Sequence, residues 1–384
     1  MAAKRLVILG SSGSIGRQAL EVVAAHSGRL AVVGLAAHRD WRTVLEQCRR
    51  YGVSTCCLVD PVAAELAERH QDGVRVLTGA DGLRYLAAEL DADLVVGGIS
   101  GSAGLAPIVH ALEAGRDVAL ANKEPLVMAG ALVMDTARAS GANLLPVDSE
   151  LSAIYQCLQG QPVDAVERIV LTASGGPFHG LSADALSRVT PRQALEHPTW
   201  RMGEKVTVDS ATLANKGFEI FETRWLFGVE FGRIDVVVHR QSIVHSLVRF
   251  QDSSVLAQLG CPDMRAPIQY ALLYPERPAN ELPRLDLVTA SPLTFEEPDV
   301  TRFPCLRLAR EAGRAGGGYP AVLNGADEAA VDLFLAGRIG FMDIARHIEE
   351  ALAAYHGASP ESLEALIATN EWARRHVEAS VRPG

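Results

Sequence analysis

Through residues 6–147, short runs of branched apolar residues alternate with stretches whose apolar positions recur every three or four residues. The first pattern predicts strands at Leu6–Leu9, Leu30–Ala37, Thr55–Val59, Leu94–Gly97, Val118–Ala121 and Asn143–Val147. The second predicts helices at Ile15–Ala25, Trp41–Arg50, Pro61–His70, Ala103–Ala114 and Pro125–Ser140. Such alternation is the pattern of a parallel sheet with crossover helices, so residues 1–147 are expected to form a Rossmann-like α/β domain.

The texture changes after 147. Short strands are expected at Ile169–Thr172, Val206–Val208, Ile234–His239 and Val255–Leu259, with helices at Ala211–Phe227 and Arg265–Tyr274, between Gly/Pro/Ser-rich turns. Residues 148–274 therefore read as an α+β catalytic domain. Six of the 19 prolines fall within 275–304. Proline fixes φ and removes a backbone donor, so this stretch predicts an extended linker. Residues 305–384 are Ala/Leu/Glu-rich with helical periodicity and predict a small helical domain.

Composition narrows the class. With 48% hydrophobic and 21% charged residues the chain is ordinary globular protein, and a net charge of −10 argues against nucleic-acid or anionic-membrane partners. A phosphorylated small molecule still fits, provided cations gather at its site. The six cysteines include no CxxC spacing and read as scattered thiols in a reducing compartment. The apolar run at Leu6–Leu9 is too short for a signal-peptide core, and no later run reaches membrane-spanning length, so a cytoplasmic location is expected.

Candidate chemistry starts at Gly10-Ser11-Ser12-Gly13-Ser14-Ile15-Gly16, between the first strand and first helix. Glycines here let the backbone approach a pyrophosphate, whose charge a helix N-terminus stabilises. The spacing is G-x-x-G-x-x-G, and a tight turn with no ligand is the alternative. The second strand ends in His38-Arg39-Asp40. A cation at this place suits the 2′-phosphate of NADPH, whereas Asp40 equally suits a helix N-cap.

Polar clusters follow three further strands: Asn122-Lys123-Glu124, Asp148-Ser149-Glu150 and Ser174-Gly175-Gly176. On an extended backbone, Asp148 and Glu150 would point the same way. Converging carboxylates need a proton or cation between them, and Mg²⁺ or Mn²⁺ prefers such oxygen ligands. Glu219 is the candidate third ligand. If its segment is helical, Asn215 lies one turn away on the same face with Lys216 alongside; an ordinary surface i, i+4 pair reads the same way. Ser174, Ser210, Asn215 and Lys216 offer donors suited to a phosphate. His197 precedes Trp200-Arg201-Met202-Gly203, a Pro/Gly-flanked segment that reads either as a cover over a site or as a core anchor.

With these motifs laid out, the chain resembles the 1-deoxy-D-xylulose 5-phosphate reductoisomerases nearly end to end. The resemblance rests on Gly10–Gly16 (GSSGSIG), Ala121–Glu124 (ANKE), Pro146–Glu150 (PVDSE), Leu171–Phe178 (LTASGGPF), His197–Gly203 (HPTWRMG), Val208–Glu219 (VDSATLANKGFE), Gln241–Ser246 (QSIVHS) and Leu256–Met264 (LAQLGCPDM). It implies an NADPH- and divalent-metal-dependent conversion of 1-deoxy-D-xylulose 5-phosphate to 2-C-methyl-D-erythritol 4-phosphate, in non-mevalonate isoprenoid synthesis, by a homodimer. It implies metal ligation by Asp148, Glu150 and Glu219, and phosphate contacts from Ser174, Ser210, Asn215 and Lys216. Lys123, Glu124, Ser149, Glu150, His197, Trp200, Met202 and Glu219 fall among its substrate positions. Lys123, Glu150, His197 and His245 are the implied catalytic set. Gly10, Ser12, Gly13, Ser14, Ile15, His38, Arg39, Asp40, Asn122, Glu124 and Gly203 fall at or beside NADPH positions.

The chain departs from the usual family pattern at four places: His38-Arg39-Asp40 stands for Gly-Lys/Arg-Asn, Pro125 for Ser, Leu151 for His and Arg240 for Pro. None of these removes an implied metal ligand or phosphate donor. Two other classes fit the clusters without the resemblance: a metal-assisted NADP oxidoreductase acting on another phosphorylated sugar or semialdehyde, and a non-catalytic dinucleotide sensor. A sensor has no need of Asp148, Glu150 and Glu219, all of which are present.

Overall fold

The computed structural model describes residues 2–381. In chain order the first elements are β1 (Lys4–Leu9), α1 (Ser14–Ala25), β2 (Leu30–Ala37), α2 (Trp41–Tyr51), β3 (Thr55–Leu58), α3 (Pro61–His70), β4 (Arg75–Thr78), α4 (Gly79–Arg84), β5 (Leu94–Gly97), α5 (Leu105–Glu113), β6 (Asp117–Leu120), α6 (Glu124–Ser140), β7 (Leu144–Pro146) and α7 (Ser149–Cys157). There follow β8 (Val166–Ala173), α8 (Ala183–Leu186), α9 (Pro191–Ala194), α10 (Glu204–Thr212), α11 (Ala214–Phe227), β9 (Ile234–Val238), β10 (Val244–Phe250), β11 (Val255–Leu259), α12 (Arg265–Leu273), α13 (Leu287–Ala290), α14 (Cys305–Ala315), α15 (Tyr319–Leu335), α16 (Phe341–Ala354) and α17 (Leu363–Ser380).

The chain divides into two units. One takes in the chain up to Pro125, Val133–Ser152 and Asp263–Leu282; the other takes in Leu126–Leu132, Ala153–Pro262 and Pro283 onward. These boundaries do not coincide with breaks at 147 and 274, because α12 belongs with the nucleotide-type sheet. Its neighbours explain why: Lys4 Nζ donates to the Leu272 carbonyl at 3.0 Å, and His26 Nε2 lies 3.0 Å from Gln269 Oε1.

The first unit holds a parallel seven-stranded sheet of order β4-β3-β2-β1-β5-β6-β7. β3 and β5 are buried at every position, the signature of strands covered on both faces, which is why they read as unbroken apolar runs. The order reverses between β1 and β5, and the carboxyl ends of strands at such a reversal are where open α/β sheets bind their ligands. β4 escapes the sequence pattern: it is an edge strand with exposed and half-buried positions.

The second unit holds a four-stranded sheet of order β11-β10-β8-β9, antiparallel except for the β8–β9 pair, together with the C-terminal helices. Phe218 and Phe221 of α11 are fully buried. α15 is buried through Ala321–Val331, including Asn324, Asp327 and Glu328.

The fold class follows expectation; three local expectations do not. Val206–Val208 is not a strand but lies inside α10, since its neighbours supply helical spacing that the two valines hide. The expected helix Ala211–Phe227 is broken at Leu213, whose φ of 64° ends α10 and starts α11. Asp148-Ser149-Glu150 is not extended, because Ser149 opens α7. Within 275–304 the only helix among the described residues is α13, and Glu296 bridges to Val238.

Candidate active site

In the first unit, Gly10 follows β1 with φ +84°, a conformation L side chains rarely adopt, and donates its N–H to the Ala36 carbonyl at 2.9 Å. A Cβ on Gly10 would lie 2.4 Å from the Gly98 carbonyl oxygen, so the turns after β1 and β5 are in close contact at the reversal point. Gly13 is the N-cap of α1 and provides no side-chain cap. The first N–H groups of that helix are therefore not claimed by a capping side chain, and Ser12, Gly13 and Ser14 lie at or near the surface, as an anion-binding turn requires. Gln47 Nε2, which sequence reading missed, braces the turn by donating to the buried Ser11 carbonyl at 2.9 Å.

His38, Arg39 and Asp40 are exposed after β2. Asp40 caps α2, accepting from the Thr43 N–H at 3.2 Å. Its carboxylate is thereby engaged with the helix start. Arg39 Nε pairs with Asp60 Oδ2 at 3.0 Å, the other residue that sequence reading missed; Asp60 in turn caps α3. The Arg39 side chain is 73% exposed, so the pair is weakly held and the guanidinium is accessible to an incoming anion.

The sheet's β6 and β7 deliver the two polar clusters. Asn122, Lys123 and Glu124 are buried. Asn122 donates to Glu124, whose other oxygen accepts from the Gly101 N–H at 3.1 Å. Lys123 Nζ donates to Asp148 Oδ2 at 2.6 Å, with both side chains largely buried. Asp148 and Glu150 each present a carboxylate oxygen within 4.8 Å of the other, although they reach this place from a helix start and not a strand. Ser149 ties them together, donating its N–H to Asp148 Oδ1 at 3.0 Å and its hydroxyl to Glu150 Oε2. Two carboxylates at this separation raise each other's energy unless a cation is nearby; Lys123 is one, and an oxygen-preferring divalent ion fits the donor set.

In the second unit, the Leu213 break turns the end of α10 toward the start of α11, placing Ser210 at one helix end and Asn215 and Lys216 at the other. Asn215 Nδ2 and Lys216 Nζ donate to the two oxygens of Glu219 at 2.7 and 2.6 Å. Glu219 is wholly buried, which excludes the surface-pair reading; a buried carboxylate persists only when paired and hydrogen-bonded. The loop after β8 packs on the same turn: a Cβ on Gly176, φ +67°, would lie 2.8 Å from the Ser210 carbonyl oxygen.

Ser174 Oγ lies 2.9 Å from His197 Nε2 and accepts from the Gly176 N–H at 3.2 Å. His197 Nδ1 accepts from the backbone N–H groups of Thr199 and Trp200 at 3.1 and 2.9 Å. With Nδ1 an acceptor twice over, the neutral ring carries its proton on Nε2 and donates to Ser174, leaving that hydroxyl's hydrogen available. Desolvation lowers the His197 pKa to about 4. The folded protein thus binds fewer protons here than the unfolded chain, so this contribution to stability is complete above about pH 6.5 and is lost as the pH falls toward 4. Nitrogen-detected NMR should find the Nε2–H tautomer at neutral pH and no His197 titration near pH 6.5; a midpoint there would remove the assignment. Trp200 is half-buried and lies 6.1 Å from the ring of the buried His245; Met202 is half-buried and Gly203 exposed.

The family described as 1-deoxy-D-xylulose 5-phosphate reductoisomerase matches residues 6–130, its C-terminal domain matches 144–227, and the DXP reductoisomerase C-terminal domain matches 259–376. The reductoisomerase of Heliobacterium modesticaldum is 52% identical over 99% of this chain and 98% of its own. That of Pelotomaculum thermopropionicum is 49% identical over 97% of each. Among solved structures, the Zymomonas mobilis reductoisomerase in complex with NADPH is 40% identical, covers 98% of this chain and 99% of its own, and has a TM-score of 0.91. Another, in complex with NADPH, fosmidomycin and magnesium, is 38% identical over 98% of each chain, with a TM-score of 0.93. No helix among the described residues is long and apolar enough to cross a membrane. A near-complete match in sequence, in domain order and in fold places this chain in the 1-deoxy-D-xylulose 5-phosphate reductoisomerase family.

Proposed function

We infer that Asp148, Glu150 and Glu219 hold one divalent ion at the site where this enzyme converts 1-deoxy-D-xylulose 5-phosphate to 2-C-methyl-D-erythritol 4-phosphate with NADPH. The observation that carries the metal assignment is that each carboxylate is held in place by a donor of its own: Asp148 by Lys123, Glu150 by the Ser149 hydroxyl, and Glu219 by Lys216 and Asn215. Magnesium is the family's ion in the solved relatives; manganese, with the same preference for oxygen, is proposed to substitute. When bound, the ion polarises the ketose carbonyl as a Lewis acid, and NADPH supplies hydride.

The chain's own residues do the rest of the work. Ser210, Asn215 and Lys216, gathered by the Leu213 turn, and Ser174, oriented by His197, bind the phosphate. Lys123, buried beside Asp148, is placed to deliver or accept a proton at the sugar oxygens, with Glu150 and Ser149 alongside. His245 of β10 lies against Trp200 of the cover segment, and Trp200 with Met202 excludes water when substrate is bound. Ser12, Gly13, Ser14 and Ile15 receive the pyrophosphate, supported by Gly10, while Arg39 receives the 2′-phosphate and Asn122, Glu124 and Gly203 complete the cofactor site. Asp40 does not exclude that phosphate, since its carboxylate serves α2; His38 is exposed at the same rim. A homodimer is also proposed. Its support is the family resemblance and β11, a sheet-edge strand with Val255 and Leu256 exposed.

A substrate panel followed by NADPH absorbance tests the substrate assignment. Magnesium-loaded enzyme should oxidise NADPH rapidly with 1-deoxy-D-xylulose 5-phosphate and negligibly with other phosphorylated sugars or semialdehydes. Equal rates on one of those would favour the broader oxidoreductase reading.

A further inference from the structure

α10 carries, one turn before Ser210, a set of buried charges that the reaction does not use. Lys205 Nζ donates to Asp209 Oδ2 at 2.6 Å and to Asp327 Oδ2 at 2.7 Å. Asp209 is a helical turn further along α10; Asp327 comes from the middle of α15. Both carboxyls are buried, Asp327 completely, and Lys205 also lies over the Phe218 ring of α11 at 4.8 Å. One cation thus holds α10, α11 and α15 together directly behind the turn that bears Ser210, Asn215 and Lys216.

One lysine cannot neutralise two buried carboxylates. Asp209 Oδ2 and Asp327 Oδ2 both converge on the one ammonium, so each carboxyl depends on Lys205 for its burial. Asp327 Oδ1 has no hydrogen-bond donor among the described residues. Burial pushes the Asp327 carboxyl up, Glu328 on its own helix adds to this, and Lys205 and Asp209 oppose it. Glu328 is itself paired with Arg374 of α17 at 2.8 Å. From α14, the buried Cys305 thiol faces the pair with its own pKa raised by desolvation and by Asp327, so it remains a thiol.

We propose that Lys205, Asp209 and Asp327 form a positioning clamp that fixes the Ser210–Lys216 turn for the substrate phosphate, and so makes the C-terminal helices part of substrate recognition. The proposal rests on the phosphate site inferred above. Positioning acts on binding of the phosphorylated end. It therefore moves KM for the phosphorylated ketose far more than NADPH affinity, because the nucleotide turn belongs to the other unit and Gly203 caps the opposite end of α10 from Ser210.

Three variants of the full-length, magnesium-loaded enzyme test this with steady-state kinetics and NADPH titration. Lys205→Met should raise KM for 1-deoxy-D-xylulose 5-phosphate by about tenfold or more, while kcat and NADPH affinity each fall by less than about threefold. Asp327→Asn, which removes the charge that ties Lys205 to α15, should raise the same KM by about threefold or more. An unchanged KM in Lys205→Met overturns the clamp, as does an equal loss of NADPH affinity, which a merely structural role would produce. A parent-like KM in Asp327→Asn overturns the part given to α15. Lys216→Met separates this from the underlying assignment: if it leaves KM unchanged, the phosphate site is misplaced and the clamp falls with it, whereas a raised KM there beside an unchanged Lys205→Met condemns the clamp alone.

Discussion

Glu219→Gln should reduce turnover on the order of a thousandfold, about 4 kcal/mol of transition-state stabilisation, while NADPH binds as in the parent. Glutamine keeps the size and one carbonyl oxygen of Glu219, so packing in α11 is little disturbed. It removes the negative charge that attracts the divalent ion and that pairs with Lys216 at 2.6 Å. Because Glu219 is wholly buried, no water-exposed carboxylate can take over its role by a small side-chain movement. The nucleotide turn after β1 lies in the other unit and should be unaffected. Turnover under limiting magnesium, with NADPH titrated by fluorescence, makes the comparison. Parent-like turnover would show that Glu219 is not a ligand.

Gly16→Ala tests the cofactor half with a comparably large effect. A Cβ on Gly16 would lie 2.4 Å from both the Gly10 carbonyl oxygen and Ser11 Cα. Both are backbone atoms, so no side-chain rotation relieves the clash and the turn itself must open. NADPH affinity should fall on the order of a hundredfold, and stability by about 1–3 kcal/mol. The turn of Ser210, Asn215 and Lys216 should keep its phosphate affinity. NADPH titration beside thermal unfolding reads both quantities; an alanine variant that binds NADPH within about threefold of the parent would contradict a turn built around contact with the pyrophosphate.

How much of this was legible in the residues depended on which interactions were local. The parallel sheet showed through because β3 and β5 are apolar at consecutive positions, and the Gly10–Gly16 turn carries its own steric reason. The Asn215–Lys216–Glu219 face was readable because three- and four-residue spacing is helical arithmetic. Val206–Val208 misled because three consecutive β-branched residues look like a strand, while the tertiary setting of Lys205 and Asp209 holds them in a helix. The Leu213 break had no signal: a leucine at φ 64° is disfavoured locally and is sustained by its surroundings. Asp148 and Glu150 were correctly paired for an incorrect reason, since the first turn of α7 and not an extended strand brings their oxygens within 4.8 Å. The Asp327 partner of Lys205 lies 122 residues away, a contact no spacing rule reaches.

Manganese binding followed by electron paramagnetic resonance tests the central assignment most directly, because it reads the ion and not the reaction. The parent should bind one Mn²⁺ per chain, displaced by excess Mg²⁺, and Asp148→Asn, Glu150→Gln and Glu219→Gln should each lose that tight site while still binding NADPH. Retention of a parent-like Mn²⁺ site in any of the three variants would contradict the account.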